Sequence, residues 1–100
     1  MTPTKKELTL TEKLNMETAK ISWKELELFF AKGNLLKVSR QQDLVKVAEK
    51  VAANQQHEIE SLILTRQIEF VTPEWVKKYC IDNPSLWAVV VAPYVLCQRT

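Results

Sequence analysis

The sequence predicts an α+β domain, mainly helical with a small, mainly antiparallel sheet. Three observations predict it. The chain has 100 residues, enough for one hydrophobic core and not for two. Its 46% hydrophobic and 26% charged residues match the globular average and not a disordered composition. Its apolar spacing alternates between the helical period and short strand-like runs.

Residues 1–8 are polar and threonine-rich, carry Pro3 and show no period, so they read as a flexible leader to a domain spanning residues 9–100. Thr9 and Glu12 have the spacing of a capping box and open a first short helix with Leu10, Leu14 and Met16 expected inward. Ser22 and Glu25 repeat that spacing before Leu26, Phe29 and Phe30, and the chain's one glycine, Gly33, marks the end of this second helix. Leu35, Leu36 and Val38 form a strand-like run. Asp43 then caps a helix whose inward stripe is Leu44, Val47, Ala48, Val51 and Ala52.

A tight connection at Asn54 to Gln56 leads to a helix running from His57 to about Arg66, with Ile59, Leu62 and Ile63 inward. Ile68, Phe70 and Val71 suggest a second strand, and Thr72 with Pro73 starts a helix that places Val76, Tyr79 and Cys80 toward the core. Asp82, Asn83 and Pro84 end it. The last run, Leu86 to Cys97, reads as a strand covered on both faces, in which Pro93 marks an edge, a bulge or a break between two strands. This succession is winged-helix-like in element order.

Scarce residues exclude several chemistries. One glycine cannot build a dinucleotide fingerprint or a P-loop, which need glycines for close backbone approach to phosphate. His57, Cys80 and Cys97, separated by 23 and 17 residues, lack the paired spacing of a zinc site. The two cysteines read as buried structural thiols; a thiol enzyme using Cys80 or Cys97 with His57 is the third-ranked reading. Glu58, Glu60 and Glu74 fall on expected solvated helix faces, so no acid/base pair stands out. No catalytic, cofactor-binding or metal-binding residue is therefore expected, and no small-molecule substrate is indicated. The twelve-residue run Leu86 to Cys97 is too short for a membrane span, and the N-terminus lacks a secretory h-region, so the expected address is cytoplasmic.

The net charge is +2, but residues 1–50 hold ten Lys or Arg against seven acids while residues 51–100 hold four against five. Lys37, Arg40, Gln41, Gln42, Lys46 and Lys50 are the candidate basic, polar surface for an anionic or acidic partner. The helix after Asn54, which a winged-helix reading would place in the major groove, carries Glu58 and Glu60 where phosphate would repel them. Trp23, Trp75 and Trp87 read as core rings and not as a stacking platform. Trp87, Val89, Val91 and Tyr94 are the candidate interface with another chain, either a second copy or a larger partner, because a small domain has limited means to cover both faces of that run.

Trp23 to Leu26, Phe30 to Gly33, Leu35 to Val38, Asp43 to Ala48 and Trp87 to Gln98 are together similar to a small bacterial domain family of unknown function. The resemblance covers residues 16–98 and implies a short stand-alone protein with no assigned activity or catalytic residue. It expects an acidic residue where this chain has Asn54 and glycine at Arg66 to Gln67.

The residues together point to a non-enzymatic regulatory protein that acts through a protein partner, an enzyme of nucleic-acid metabolism being one candidate. The alternative is direct nucleic-acid binding through the basic patch around Lys37 to Lys50, and a homodimer is compatible with either.

Overall fold

The computed structural model describes residues 9–100, so the expected leader lies outside the described residues. The elements are α1 (Leu10–Glu17), β1 (Ala19–Ser22), α2 (Trp23–Ala31), β2 (Leu35–Val38), α3 (Leu44–Ala52), α4 (Gln56–Leu64), β3 (Ile68–Phe70), α5 (Pro73–Tyr79), β4 (Ser85–Val91) and β5 (Tyr94–Arg99). The strands form one sheet in the order β1-β4-β5-β2-β3. Its β1/β4, β4/β5 and β2/β3 pairs are antiparallel, and β2 runs parallel to β5.

The expected succession of helix, strand, two helices and strand is present from α2 to β3, but its strands join a central sheet with helices on both faces. Strand alternation sets the layers. Leu36, Val38, Val89, Val91 and Leu96 face α1, α3 and α4, packing with Leu14, Leu44, Val47, Ala48 and Leu62. Leu35, Leu86, Ala88, Val95 and Cys97 face the opposite side, packing with Trp23, Leu26 and Cys80.

Local chemistry explains most element ends. The Thr9 capping box forms, with Thr9 Oγ1 accepting from the Glu12 N–H and the Glu12 carboxylate accepting from the Thr9 N–H. Gly33, at φ +77°, ends α2. Asp43 Oδ1 accepts from the N–H groups of Val45 at 3.0 Å and Lys46 at 3.2 Å. Asp43→Ala is expected to lower stability by about 1 kcal/mol, checked by urea unfolding, because two helix donors lose their partner.

The second capping box does not form. Ser22 is the N-cap of α2 but its side chain makes no capping bond. Residues distant in sequence satisfy the helix donors instead: the Lys24 N–H donates to Asn83 Oδ1 at 2.8 Å and the Trp23 N–H to the Pro84 carbonyl at 2.8 Å. Four inward assignments also fail, since Leu10 is 39%, Met16 73% and Ile63 53% exposed and Ala52 is exposed as well; α1 has only eight residues, anchored by buried Leu14. Strand β1, absent from the sequence expectation, exists through its pairing with β4. Pro93 marks the break between β4 and β5, which pair antiparallel around a cis Ala92–Pro93 turn.

Helix α4 ends at Leu64, short of Arg66, and Arg66 has φ +60°. Asn54 and Asn83 also have positive φ, but asparagine tolerates the left-handed region and arginine does not. Arg66→Gly is therefore expected to raise stability by about 0.5–1 kcal/mol, read as a higher urea midpoint at unchanged slope.

Candidate functional site

At the C-terminal ends of the parallel strands β2 and β5, the sheet face that carries α5 is left uncovered. Lys37 stands opposite Glu69 on β3 and Cys97 on β5. Arg99, two residues beyond Cys97, shares that face. The turn after β2 is tied down on both sides: the Ser39 N–H donates to the Gln67 carbonyl at 2.8 Å, and the Gln98 side-chain amide donates to the carbonyls of Ser39 at 2.8 Å and Gln42 at 2.7 Å. This fixes Arg40 and Gln41 beside Arg66 and Gln67. Trp75 and Tyr79, one turn apart on α5, form the facing wall, with ring centroids 5.6 Å apart.

These residues enclose a groove of about 430 Å³. Lys37, Arg40, Arg66 and Arg99 line it, and no carboxylate does. Lys37 is ion-paired with Glu69. Among the described residues, Arg40, Arg66 and Arg99 have no carboxylate within ion-pair distance. The Arg99 guanidinium lies 3.9 Å from the centroid of Tyr79, which orients its planar N–H edge before any ligand arrives.

A second, apolar cleft of about 830 Å³ opens on the opposite face of the sheet, between α4, β3 and the β4–β5 turn. Ile59, Ile63, Ile68, Phe70 and Tyr94 line it. Phe70, 54% exposed, meets Tyr94 edge-on with centroids 6.3 Å apart. Arg66 lines the cleft as well as the groove.

The structure divides the sequence candidates. Lys37, Arg40 and Gln41 line the basic groove. Gln42 is structural, its side chain donating to Gln67 Oε1 at 3.3 Å. Lys46 is exposed on α3, and Lys50 lies 3.6 Å from Glu58, so neither belongs to the groove. Of the proposed interface, Tyr94 lines the apolar cleft and Trp87 is exposed near β1, with Lys20 Nζ 5.2 Å from its ring centroid. Val89 and Val91 are instead buried in the chain's own core, because strand alternation turns them toward α1 and α3; they offer no outward surface. Arg66, Gln67, Trp75, Tyr79 and Arg99 were absent from the sequence candidates. Their available signals were a cation two positions beyond Cys97 on one strand face and an i, i+4 aromatic pair.

Among the described residues no group of three or more His, Cys, Asp or Glu is arranged to hold a metal, and no helix is long and apolar enough to cross a membrane. Cys80 and Cys97 are free and buried. Burial pushes the Cys97 thiol up to about 12, reinforced by Cys80 and partly offset by Lys37. Burial raises Cys80 too, with Arg99 pulling it part of the way back. A thiol held protonated is a poor nucleophile. Because the folded state keeps the Cys97 proton, stability is full below the ordinary thiol value of 9.0 and falls as pH rises from there toward about 12. The expected slope from this one group is about −1.4 kcal/mol per pH unit. Urea unfolding at pH 8 and pH 10.5 should show this loss in the natural chain and its reduction in Cys97→Ala.

A family model described as a protein of unknown function, DUF2288, matches residues 9–99. The chain belongs to this family. It is also similar to PA1075 from Pseudomonas aeruginosa, solved in solution by NMR, with 40% identity, a TM-score of 0.80 and coverage of 99% of this chain and 92% of that one. No curated protein matches it. The motifs that carried the resemblance have structural roles in this DUF2288 chain: Trp23 and Leu26 are core residues, Gly33 ends α2 and Asp43 caps α3.

Proposed function

We propose that this protein is a non-enzymatic cytoplasmic regulator that binds a protein partner, gripping a segment in which anionic groups lie next to large apolar side chains. The observation that carries this reading is Arg66, which joins the basic groove to the apolar cleft at one sheet edge. Charge complementarity selects an anionic segment for the groove, and exposed Phe70 and Ile63 select apolar side chains for the cleft. A protein segment supplies both, whereas a nucleic-acid backbone supplies only the first.

Nucleic-acid binding is the second reading, favoured by the absence of any carboxylate from the groove lining and by the Trp75 and Tyr79 wall. Fluorescence anisotropy separates the two. The probes are a peptide mixing Asp and Glu with Leu and Phe, two versions with either the acids or the apolar residues replaced by Ser, and a single-stranded oligonucleotide. The protein reading expects binding that needs both residue classes. Oligonucleotide binding whose affinity falls steeply with salt, with no binding of the mixed peptide, would establish the second reading instead.

A further inference from the structure

We infer that the basic groove is a site for a phosphomonoester dianion. The inference rests on the proposed working surface and names the anion that its groove accepts.

The first argument is charge. Of the four cations lining the groove, Lys37 is neutralised by Glu69, leaving three guanidinium groups on one cavity without a carboxylate partner among the described residues. Like charges held around one cavity repel one another, and a bound anion relieves that repulsion. A single carboxylate would offset one charge and accept through two oxygens. A phosphomonoester carries nearly two charges and three terminal oxygens.

Donor type and position agree. The three uncommitted cations are all arginines, whose planar forks suit bidentate contact with phosphate. Arg99 is already oriented by Tyr79, so less freedom is lost on binding. Ser39, Gln41 and Gln67 add neutral polar groups along the same wall. The groove also lies beyond the carboxyl ends of β2 and β5, where open sheets with parallel strands commonly place ligands.

The phosphate source is either a small phosphorylated metabolite or a phosphorylated side chain of the partner. The test is a ¹H–¹⁵N NMR titration of the whole protein with inorganic phosphate, adenosine monophosphate and a phosphoserine pentapeptide. Matched Asp and Ser pentapeptides and sodium chloride at equal ionic strength serve as references.

Saturable shifts at Ser39 to Gln41, Arg66, Gln67 and Arg99 are expected for every phosphomonoester, with about tenfold tighter binding of the phosphoserine peptide than of the Asp peptide. Arg66→Gly, which keeps the turn and relieves its backbone, should weaken phosphate binding about tenfold while the protein remains folded. Tighter binding of adenosine monophosphate than of the phosphopeptide supports the site and assigns it to a metabolite; the reverse order supports it and assigns it to a phosphorylated partner. Shifts that chloride reproduces, or that Arg66→Gly leaves unchanged, overturn the inference. Equal affinity for the Asp and phosphoserine peptides overturns the dianion assignment and leaves the working surface standing, whereas no groove shift with any peptide, with inorganic phosphate or with adenosine monophosphate overturns both.

Discussion

Leu96→Ala is expected to lower stability by about 3–4 kcal/mol, the largest single-residue effect anticipated in this protein. Leu96 is fully buried at the centre of β5, between β4 and β2. Val89 stands opposite it in the antiparallel pair and Leu36 in the parallel pair, and all three pack in the layer that also holds Val47 and Ala48. Removing the branched end of this side chain loses its transfer free energy and leaves a cavity between two strands and a helix, which regular elements fill poorly by relaxation. A domain of this size has about 5–15 kcal/mol in total, so the variant loses a large share of its stability. Its melting temperature should fall by about 12–30 °C. The comparison is Leu64→Ala, at a position 82% exposed at the end of α4, which should change stability by less than about 0.5 kcal/mol. Similar losses for the two variants in urea unfolding would contradict the layer assignment.

Reversing two charges, Arg40→Glu together with Arg66→Glu, is expected to weaken binding of an anionic segment by about 100-fold or more. Both residues are exposed and line the groove, and neither makes an ion pair among the described residues. The substitution therefore leaves no internal partner uncompensated, and unfolding stability should stay within about 1 kcal/mol of the natural chain. Binding changes through two additive causes, loss of charge-assisted hydrogen bonds and new repulsion against the incoming anion. Lys46→Glu on α3, away from the groove, should change the same affinity less than about threefold by long-range screening alone. Isothermal titration with the acidic-apolar peptide measures all three proteins. Equal losses for Lys46→Glu and the double reversal would place the anion contact on α3, not in the groove.

What was legible in the sequence followed locality. The caps at Thr9 and Asp43, the break at Gly33, the run of β2 and the stripe of α3 were readable because each depends on residues within one or two turns. Strand β1 was not, since its four residues are ordered by pairing with β4, more than sixty positions away. The cap of α2 failed for the same reason: Ser22 was expected to accept from the Glu25 N–H, and the helix start is instead held by Asn83 and Pro84, which accept from the Lys24 and Trp23 N–H groups.

The candidate site was half legible. Lys37, Arg40 and Gln41 stood together in one segment and remain together in space. Arg66, Trp75, Tyr79 and Arg99 come from a turn, a helix and the last strand; the parallel pairing of β2 with β5 brings Arg99 to the groove, the antiparallel pairing of β2 with β3 brings Arg66, and α5 carries the two rings. Val89 and Val91 were misplaced because a continuous apolar run hides which residues alternate inward. The expected glycine at Arg66 has a physical reason in its positive φ, and the arginine found there is what connects the two cavities.

The most direct test of the composite working surface is an NMR footprint of the mixed acidic-apolar peptide on the whole protein. The predicted result is a set of saturable shifts centred on Arg66 and extending to both faces, reaching Arg40 and Arg99 on one side and Ile63, Phe70 and Tyr94 on the other. Shifts confined to the groove and unchanged when the peptide's apolar residues are replaced by Ser, or a footprint at Trp87 and β1, would contradict it.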